Sequence, residues 1–330
     1  MKYGIIVMVG SFYARGGDDL AVIEIRSRYE RYAKVFGKTV RVTVNRPIST
    51  GGATPRYTVN GGYIRGRELL NYGILDPSRQ AAGAVESMPV LYAYIVGINE
   101  PLAEFEGEVI AVLHREGRGA MIRKDLPFDH NDRLIIAPKG AYLLESDIRA
   151  AVADAEERFC YRLFCRYEKS CGAVVYTLRD GNPLYLLIRN RSGHIGFPKG
   201  HVEYKENEAQ TMAREIMEET SLSVTLDFSF REEYRYQLWG VVQKTAVYSV
   251  AYFEDGARVQ TLDSEIFGDW LLPYEEAYKM LSYENDRTVL AHAHAHLIEK
   301  ESSGAYDILH LQSKCRQSPC GKRDPANKRR

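Results

Sequence analysis

Up to about Ala141 the chain is built from short apolar or alternating runs broken by Gly, Pro and Asn. Thr39–Asn45, Val90–Gly97, Glu108–His114 and Arg133–Ala137 are of strand length. Short strands with frequent turn signals predict a β-barrel or sandwich. Ser49–Ala53 and Gly117–Asn131 read as loops. The period changes at Ser146, where Ile148, Ala151, Val152 and Ala155 fall at helical spacing. This predicts a helix connecting two domains. A second strand-rich unit starts near Ser170. Gly172–Leu178 and Leu184–Arg189 flank Asp180-Gly181-Asn182-Pro183, a hairpin signal. The pattern then gives a helix over Asn207–Thr220, strands near Phe228–Tyr236 and Thr245–Tyr252, and closing helices over Pro273–Leu281 and Asp286–Lys300. From Gln312 the chain is basic and broken by Pro319, Gly321 and Pro325, which reads as a disordered, solvated tail. The organisation expected is a β domain over 1–145, a helical linker over 146–168, a second domain over 169–311 and a tail over 312–330, with an α+β fold class.

Composition changes this picture little. With 330 residues and 45% hydrophobic residues the chain can bury two ordinary cores. Its formal charge of +0 gives no general pull towards nucleic acid or an acidic membrane. The apolar run Ile5–Val9 is too short for a signal core or a membrane span. Cys160, Cys165, Cys171, Cys315 and Cys320 form no paired framework, which suits a reduced, cytoplasmic protein. Zinc is not expected at the Cys160/Cys165 or Cys315/Cys320 pairs, because companion ligands are missing.

The segment Gly200–Leu222 carries the chemistry. Asn207 can cap the helix, with Gln210 at the reciprocal position. Ala209, Met212, Ala213 and Ile216 share one face, expected to be buried. Glu215, Glu218 and Glu219 crowd one stretch of the opposite face. Like charges so placed cost an isolated helix a few tenths of a kcal/mol per pair, roughly. A hard divalent cation would compensate, and Mg²⁺ in particular takes oxygen ligands and substrate phosphates together.

These residues match Gly-x5-Glu-x7-Arg-Glu-U-x-Glu-Glu-x-Gly-U, U being aliphatic, from Gly200 through Glu206, Arg214, Glu215, Glu218 and Glu219 to Leu222. The segment therefore resembles the Nudix box, with Ser221 where that family has Gly. The Gly lies just past the helix, where a left-handed backbone is common, and Ser adopts it at a cost of about 1 kcal/mol. The resemblance implies an α/β/α sandwich and Mg²⁺-dependent cleavage of a pyrophosphate linkage, with Mn²⁺ as a substitute. It makes Glu215, Glu218 and Glu219 the metal ligands, joined by the Gly200 carbonyl. Arg214 becomes the partner that orients a carboxylate, and Glu206 a structural residue. The flanks Ser170–Val175, Gly196–Glu203 and Ala213–Thr220 resemble the asymmetric diadenosine tetraphosphate hydrolases over about Glu168–His296. That branch implies phosphate contacts from His194, Lys199 and Lys244, adenine stacking by Tyr236 and Tyr283, and a late acidic residue near the metals at Glu265. His292 and His296 stand four apart on a helix, a spacing seen in metal pairs. With no acidic helper nearby, a polar surface is the better reading.

The order of segments from Lys38 to Gly140 is similar to the small soluble inorganic pyrophosphatases, a β-barrel family that holds its metals with aspartates. Here the matching stretch Met88–Tyr94 has no carboxylate, and Asn45 stands where an acidic residue would be expected. A catalytically silent first domain follows, with a role as scaffold, anion site or homo-oligomer surface. The activity expected is asymmetric cleavage of diadenosine tetraphosphate to ATP and AMP, with a small nucleotide as partner and neither membrane nor nucleic acid. Two other readings use the same residues: removal of pyrophosphate from RNA 5′ ends, and a nucleotide sensor in which the first domain reports binding.

Overall fold

A computed structural model describes residues 19–49, 57–74, 90–116, 128, 131–260 and 266–302. Among these residues the chain forms two compact units. The first holds everything up to Ser170 together with His201–Asn207 and Arg235–Ala246. The second holds Cys171–Gly200, Glu208–Tyr234 and the chain from Val247 on.

The first unit is a closed barrel. Its strands are β1 (Thr39–Arg46), β2 (Asn60–Ile64), β3 (Leu91–Ile95), β4 (Glu104–Arg115) and β5 (Asp132–Ala137). They pair in the order β1-β2-β3-β5-β4, and β4 returns to β1. Only the β3–β5 pair among these is parallel. Closure removes the free edges that a five-stranded sheet would expose. β4 is long enough to serve two partners: Glu104–Glu108 lies beside β1, and Ala111–Arg115 beside β6 (Tyr161–Cys165).

Alternation along each strand separates two cores. Val40, Val42, Ile64, Leu91, Ala93, Ile95, Leu134 and Ile136 join one, which includes Ile25, Tyr29 and Tyr32 of α1 (Asp19–Tyr32). Tyr94, Ile110, Leu113 and Ile135 join the other, capped by Ile148 and Val152 of α3 (Glu145–Glu156). A short helix, α2 (Gly66–Asn71), follows β2. The apolar spacing read from Ser146 is therefore real, but its buried face belongs to the barrel. Residues 146–168 hold α3, β6 and the first residues of the next strand, all within the first unit, rather than a separate linker.

The second unit is organised around a hairpin. β7 (Tyr167–Arg179) and β8 (Asn182–Asn190) pair through Asp180 and Gly181, with φ of 51° and 80°. Positive φ at both turn residues suits the two-residue turn expected from the Asp-Gly signal. The remaining elements are β9 (Ile195–Gly196), β10 (Lys199–His201), α4 (Glu208–Thr220), β11 (Thr225–Leu238), β12 (Val242–Tyr252), β13 (Ile266–Leu272), α5 (Tyr274–Met280) and α6 (Glu284–Ser302). The sheet order is β11-β12-β7-β8-β13, with β10 beside β7 and β9 beside β8. Leu186 packs with Ile216 of α4, whereas its neighbour Tyr185 hydrogen-bonds His294 of α6 at 2.7 Å. Successive residues face opposite sides of a sheet, so helices lie on both faces, as an α/β/α sandwich requires. Among the described residues no helix is long and apolar enough to cross a membrane.

α4 departs from its expected stripe in one respect. Thr211, Met212, Ile216 and Thr220 are buried, while Ala213 is exposed and Ala209 only partly covered. The stripe runs along Met212–Ile216–Thr220, which places Glu215 and Glu219 beside the buried seam.

Candidate active site

Three local features converge on the start of β10. First, Gly172 of β7 lets two backbones touch. A Cβ there would lie 2.3 Å from the Pro198 carbonyl oxygen and 2.4 Å from Lys199 Cβ. The Ala173 N–H donates to that carbonyl at 3.2 Å. Second, the Lys199 N–H donates to Glu219 Oε2 at 3.0 Å. Third, the Glu215 carboxylate occupies the space above Gly200, where a Cβ would stand 2.0 Å from Glu215 Cδ. Any side chain at 200 would displace that carboxylate.

Arg214 joins the acidic residues. Its Nη1 donates to Glu215 Oε1 at 2.8 Å and to Glu218 Oε2 at 3.1 Å. Glu215 is largely shielded, with 14% of its side chain exposed, whereas Glu218 is open at 54%. The guanidinium relieves the repulsion that three neighbouring carboxylates bring to one helix. Among the described residues no group of three or more His, Cys, Asp or Glu side chains is arranged to hold a metal ion by itself. The donors present are carboxylate oxygens on an open face, with the Gly200 backbone bare beside them. That set fits a hard divalent ion that keeps water and phosphate among its ligands.

A second group flanks Lys199. The rings of His194 and Tyr283 are 4.9 Å apart. Their neighbours are clipped together: the Ile195 N–H donates to Ser282 Oγ at 2.8 Å, and the Ser282 N–H to the Ile195 carbonyl at 3.0 Å. Gly196 lies between Asp286 and Lys199. A Cβ at Gly196 would be 3.2 Å from Asp286 Oδ2 and 3.8 Å from Lys199 Nζ. Tyr248 donates to Asp286 Oδ1 at 3.0 Å. Burial, and then the Lys199 charge, hold His194 below its ordinary pKa, so it is neutral at pH 7. Burial, with the Asp286 charge, pushes Tyr283 up to about 12. The Tyr283 hydroxyl is buried without a hydrogen-bond partner.

His194, Lys199, Gly200, Arg214, Glu215, Glu218, Glu219 and Tyr283 thus all belong to the second unit. Lys244 and Tyr236 belong to the first. Lys244 is 1% exposed, and its Nζ lies 3.1 Å from Glu168 Oε2 and 3.3 Å from His201 Nε2. Tyr236 packs, half-buried, against the core around α1. Glu206 closes its own turn: its Oε2 accepts the Glu203 N–H at 3.1 Å, and its N–H donates to the Glu203 carbonyl at 3.0 Å. Glu265, Cys315, Cys320 and the basic tail lie outside the described residues. Cys160 is exposed and Cys165 and Cys171 are buried, none of the three in a disulfide.

Each of the three histidines of α6 has a protein partner, and His292 is exposed. His292 Nδ1 meets Glu232, and His296 Nε2 meets Asp227 at 2.9 Å. His294 stacks on Tyr274 with centroids 4.1 Å apart. Sequence reasoning missed Gly172, Gly196, Tyr248, Ser282 and Asp286. Asp286 was visible only as a helix start, and the two glycines only as parts of a longer match.

The family model for the NUDIX domain matches residues 169–293. The chain is similar to the asymmetrical bis(5′-nucleosyl)-tetraphosphatase of Sus scrofa, 29% identical over 140 residues, covering 39% of this chain and 95% of that protein. The Mus musculus protein of the same name is 28% identical over 140 residues, with the same coverage of 39% and 95%. Among solved structures, a C. elegans Ap4A hydrolase binary complex is 27% identical with a TM-score of 0.38, covering 40% of this chain and 98% of that one. Residues 169–293 are a Nudix domain, and the chain is a hydrolase.

Proposed function

We propose that this Nudix domain cleaves a dinucleoside polyphosphate asymmetrically, with diadenosine tetraphosphate giving ATP and AMP. The observation that carries the reading is the packing of Glu215 over bare Gly200, with Glu219 fastened to the Lys199 N–H. It gathers carboxylates and a lysine at one short strand, as phosphate-anhydride chemistry needs. The names of the relatives supply the substrate class. Glu215, Glu218, Glu219 and the Gly200 carbonyl would hold Mg²⁺, which, when bound, neutralises phosphate charge and makes phosphorus more electrophilic.

The chain's own groups do the rest. Lys199 binds a non-bridging phosphate oxygen by charge. Arg214 keeps Glu215 and Glu218 in place. His194, neutral at pH 7, donates or accepts a hydrogen bond without adding charge. The His194 and Tyr283 rings, tilted 45° to one another, each offer an aromatic face to a base. Water attacks one phosphorus, the anhydride P–O bond breaks, and the leaving phosphate carries away the electron pair.

The first unit reads as a catalytically silent, pyrophosphatase-like barrel. Leu91 is buried in its core, and its neighbours on β3 are aromatic or apolar. Carboxylates of the kind that would hold metals are missing from that strand.

The test is product analysis of the full chain with Mg²⁺ over a panel of dinucleoside polyphosphates, nucleoside triphosphates and triphosphorylated RNA. Equimolar ATP and AMP from diadenosine tetraphosphate is the expected result, with Glu219→Gln losing most turnover while keeping the parent melting temperature. Two ADP from each diadenosine tetraphosphate would overturn the asymmetric cleavage, and a preference for RNA ends would overturn the substrate assignment. Turnover equal to the parent in Glu219→Gln would remove Glu219 from the ligand set.

A further inference from the structure

A buried carboxylate beside Lys199 has no part in holding the metal or the phosphate. Asp286 lies in the first turn of α6 and is 6% exposed. The Tyr248 hydroxyl of β12 donates to its Oδ1 at 3.0 Å. Its Oδ2 lies over Gly196, 3.2 Å from the point where a Cβ would stand, and Lys199 Nζ is 3.8 Å from the same point. Among the described residues no donor bonds Oδ2, and Asp286 and Lys199 form no ion pair. A carboxylate oxygen so far removed from solvent and given no donor is costly, unless a ligand brings one. Tyr248, Asp286, Gly196 and Lys199 all belong to the second unit.

Two segments meet here at two levels. Tyr283 and Asp286 are three apart in one helical turn, closed by the Arg287 N–H on the Tyr283 carbonyl at 3.1 Å, so they share a face. At the first level the Tyr283 ring meets the His194 ring, with centroids 4.9 Å apart. At the second level Asp286 meets Gly196, two residues further along and beside Lys199. The bonds between Ile195 and Ser282 fix the spacing of the two levels. Passing from the rings towards the Lys199 ammonium, the acceptor met on the way is Asp286 Oδ2. A nucleotide has the same order: base, ribose, phosphate. With a base on the rings and a phosphate on Lys199, the ribose falls at Asp286.

We infer that Asp286 accepts a hydrogen bond from a ribose hydroxyl of the substrate and makes the site prefer ribonucleotides to deoxyribonucleotides; this rests on the nucleotide hydrolysis proposed above. A carboxylate accepts hydrogen bonds and repels phosphate, so its partner is a donor that carries no negative charge. The amino groups of a base project away from the sugar, beyond the rings, which leaves the ribose hydroxyls. Acidic side chains hold ribose hydroxyls in dinucleotide-binding folds by the same chemistry. Tyr248, by occupying Oδ1, fixes the orientation of the carboxylate and leaves Oδ2 for the sugar.

Steady-state kinetics of the full chain with Mg²⁺ test this, comparing diadenosine tetraphosphate with its bis(2′-deoxy) and bis(3′-deoxy) analogues. KM for at least one analogue should be about tenfold higher, the worth of one hydrogen bond to a charged group, with kcat nearly the same. Asp286→Asn should raise KM for the ribonucleotide and bring it close to that of the analogue. Tyr248→Phe, which frees the carboxylate to turn, should narrow the same gap, and it tests the carboxylate even if Asp286→Asn fails to fold. Equal KM values for all three substrates in the parent overturn this inference and leave the hydrolysis standing. A gap of parental size in Asp286→Asn, whatever the overall loss, overturns the role of Asp286. No turnover of any of the three overturns the hydrolysis, and this inference with it.

Discussion

At Gly200 one missing methyl group sets the geometry of the site. A Cβ there would overlap the Glu215 carboxylate at 2.0–2.2 Å, and the carboxylate, at the end of a flexible side chain, would be the part to move. Gly200→Ala should therefore fold with a melting temperature near the parent's and lose about a hundredfold in kcat, as displacements of about 1 Å at reacting groups can cost. Parent-like turnover would show that Glu215 is not a working ligand. Ser221 tests a balance instead. Its φ of 60° is the left-handed conformation expected at that position, and its N–H closes the helix on the Met217 carbonyl at 2.9 Å. Its hydroxyl also donates to the Gln260 carbonyl at 2.8 Å, which no local pattern could reveal. Glycine there relieves strain of about 1 kcal/mol and forfeits a hydrogen bond worth about as much. Urea unfolding should place Ser221→Gly close to the parent and Ser221→Ala about 1 kcal/mol lower. Equal stability of Ser221→Ala and the parent would mean that the hydroxyl contributes nothing.

At the scale of elements, what the sequence makes legible depends on periodicity. The hairpin around Asp180-Gly181 and the helices α3, α4, α5 and α6 follow from local signals, because turn chemistry and helical spacing act over a few residues. α1 was not anticipated, although its buried residues Ile25, Tyr29 and Tyr32 stand at the i, i+4, i+7 spacing of an amphipathic helix. The box residues were legible for the same reason, since one helix fixes their spacing. Asp286 and Tyr248 were not, because strand β12 and helix α6 meet only in the fold. α6 shows the reverse case, where a motif-like spacing places His292 beside Glu232 and His296 beside Asp227, and His294 between them turns to the sheet. His294 accepts or donates a bond with the Tyr185 hydroxyl at 2.7 Å and stacks on Tyr274. Burial lowers its pKa, partly opposed by Glu275. A histidine held neutral in the fold contributes fully above its unfolded value, about 6.5, and loses that contribution as pH falls below it. His294→Phe keeps the stack and removes the titration. Its stability should therefore change less than the parent's between about pH 7 and pH 5. Identical pH dependence in chemical denaturation would exclude His294 as a source of acid sensitivity.

At the scale of the molecule, the first unit is completed by chain that follows the start of the Nudix match. Leu238 and Val242 lie in its core, and Lys244 meets Glu168 and His201, so three distant stretches assemble one buried ionic cluster. A chain cut near Asp147 or begun near Glu157 would divide this unit, so the roles of the two units are better separated by point substitution. Burial alone would raise the Glu168 carboxyl, but the Lys244 charge and the His201 hydrogen bond outweigh it and hold it at about 2, below an ordinary 4.5. Replacing Glu168 by Gln strands a buried ammonium, which costs about 3–5 kcal/mol at neutral pH. A depressed carboxyl contributes fully above its unfolded value and loses that contribution as pH falls through its folded one. The gap between parent and Glu168→Gln should thus stay constant from pH 7 to about pH 5 and narrow between about 4.5 and 2. The double variant Glu168→Gln/Lys244→Met should recover most of the loss, because a buried pair replaced whole by an apolar side chain and a neutral amide leaves no uncompensated charge. Urea unfolding of the full chain across this range decides the matter: a gap unchanged down to pH 3, or no recovery in the double variant, would show that the ion pair does not secure the first unit.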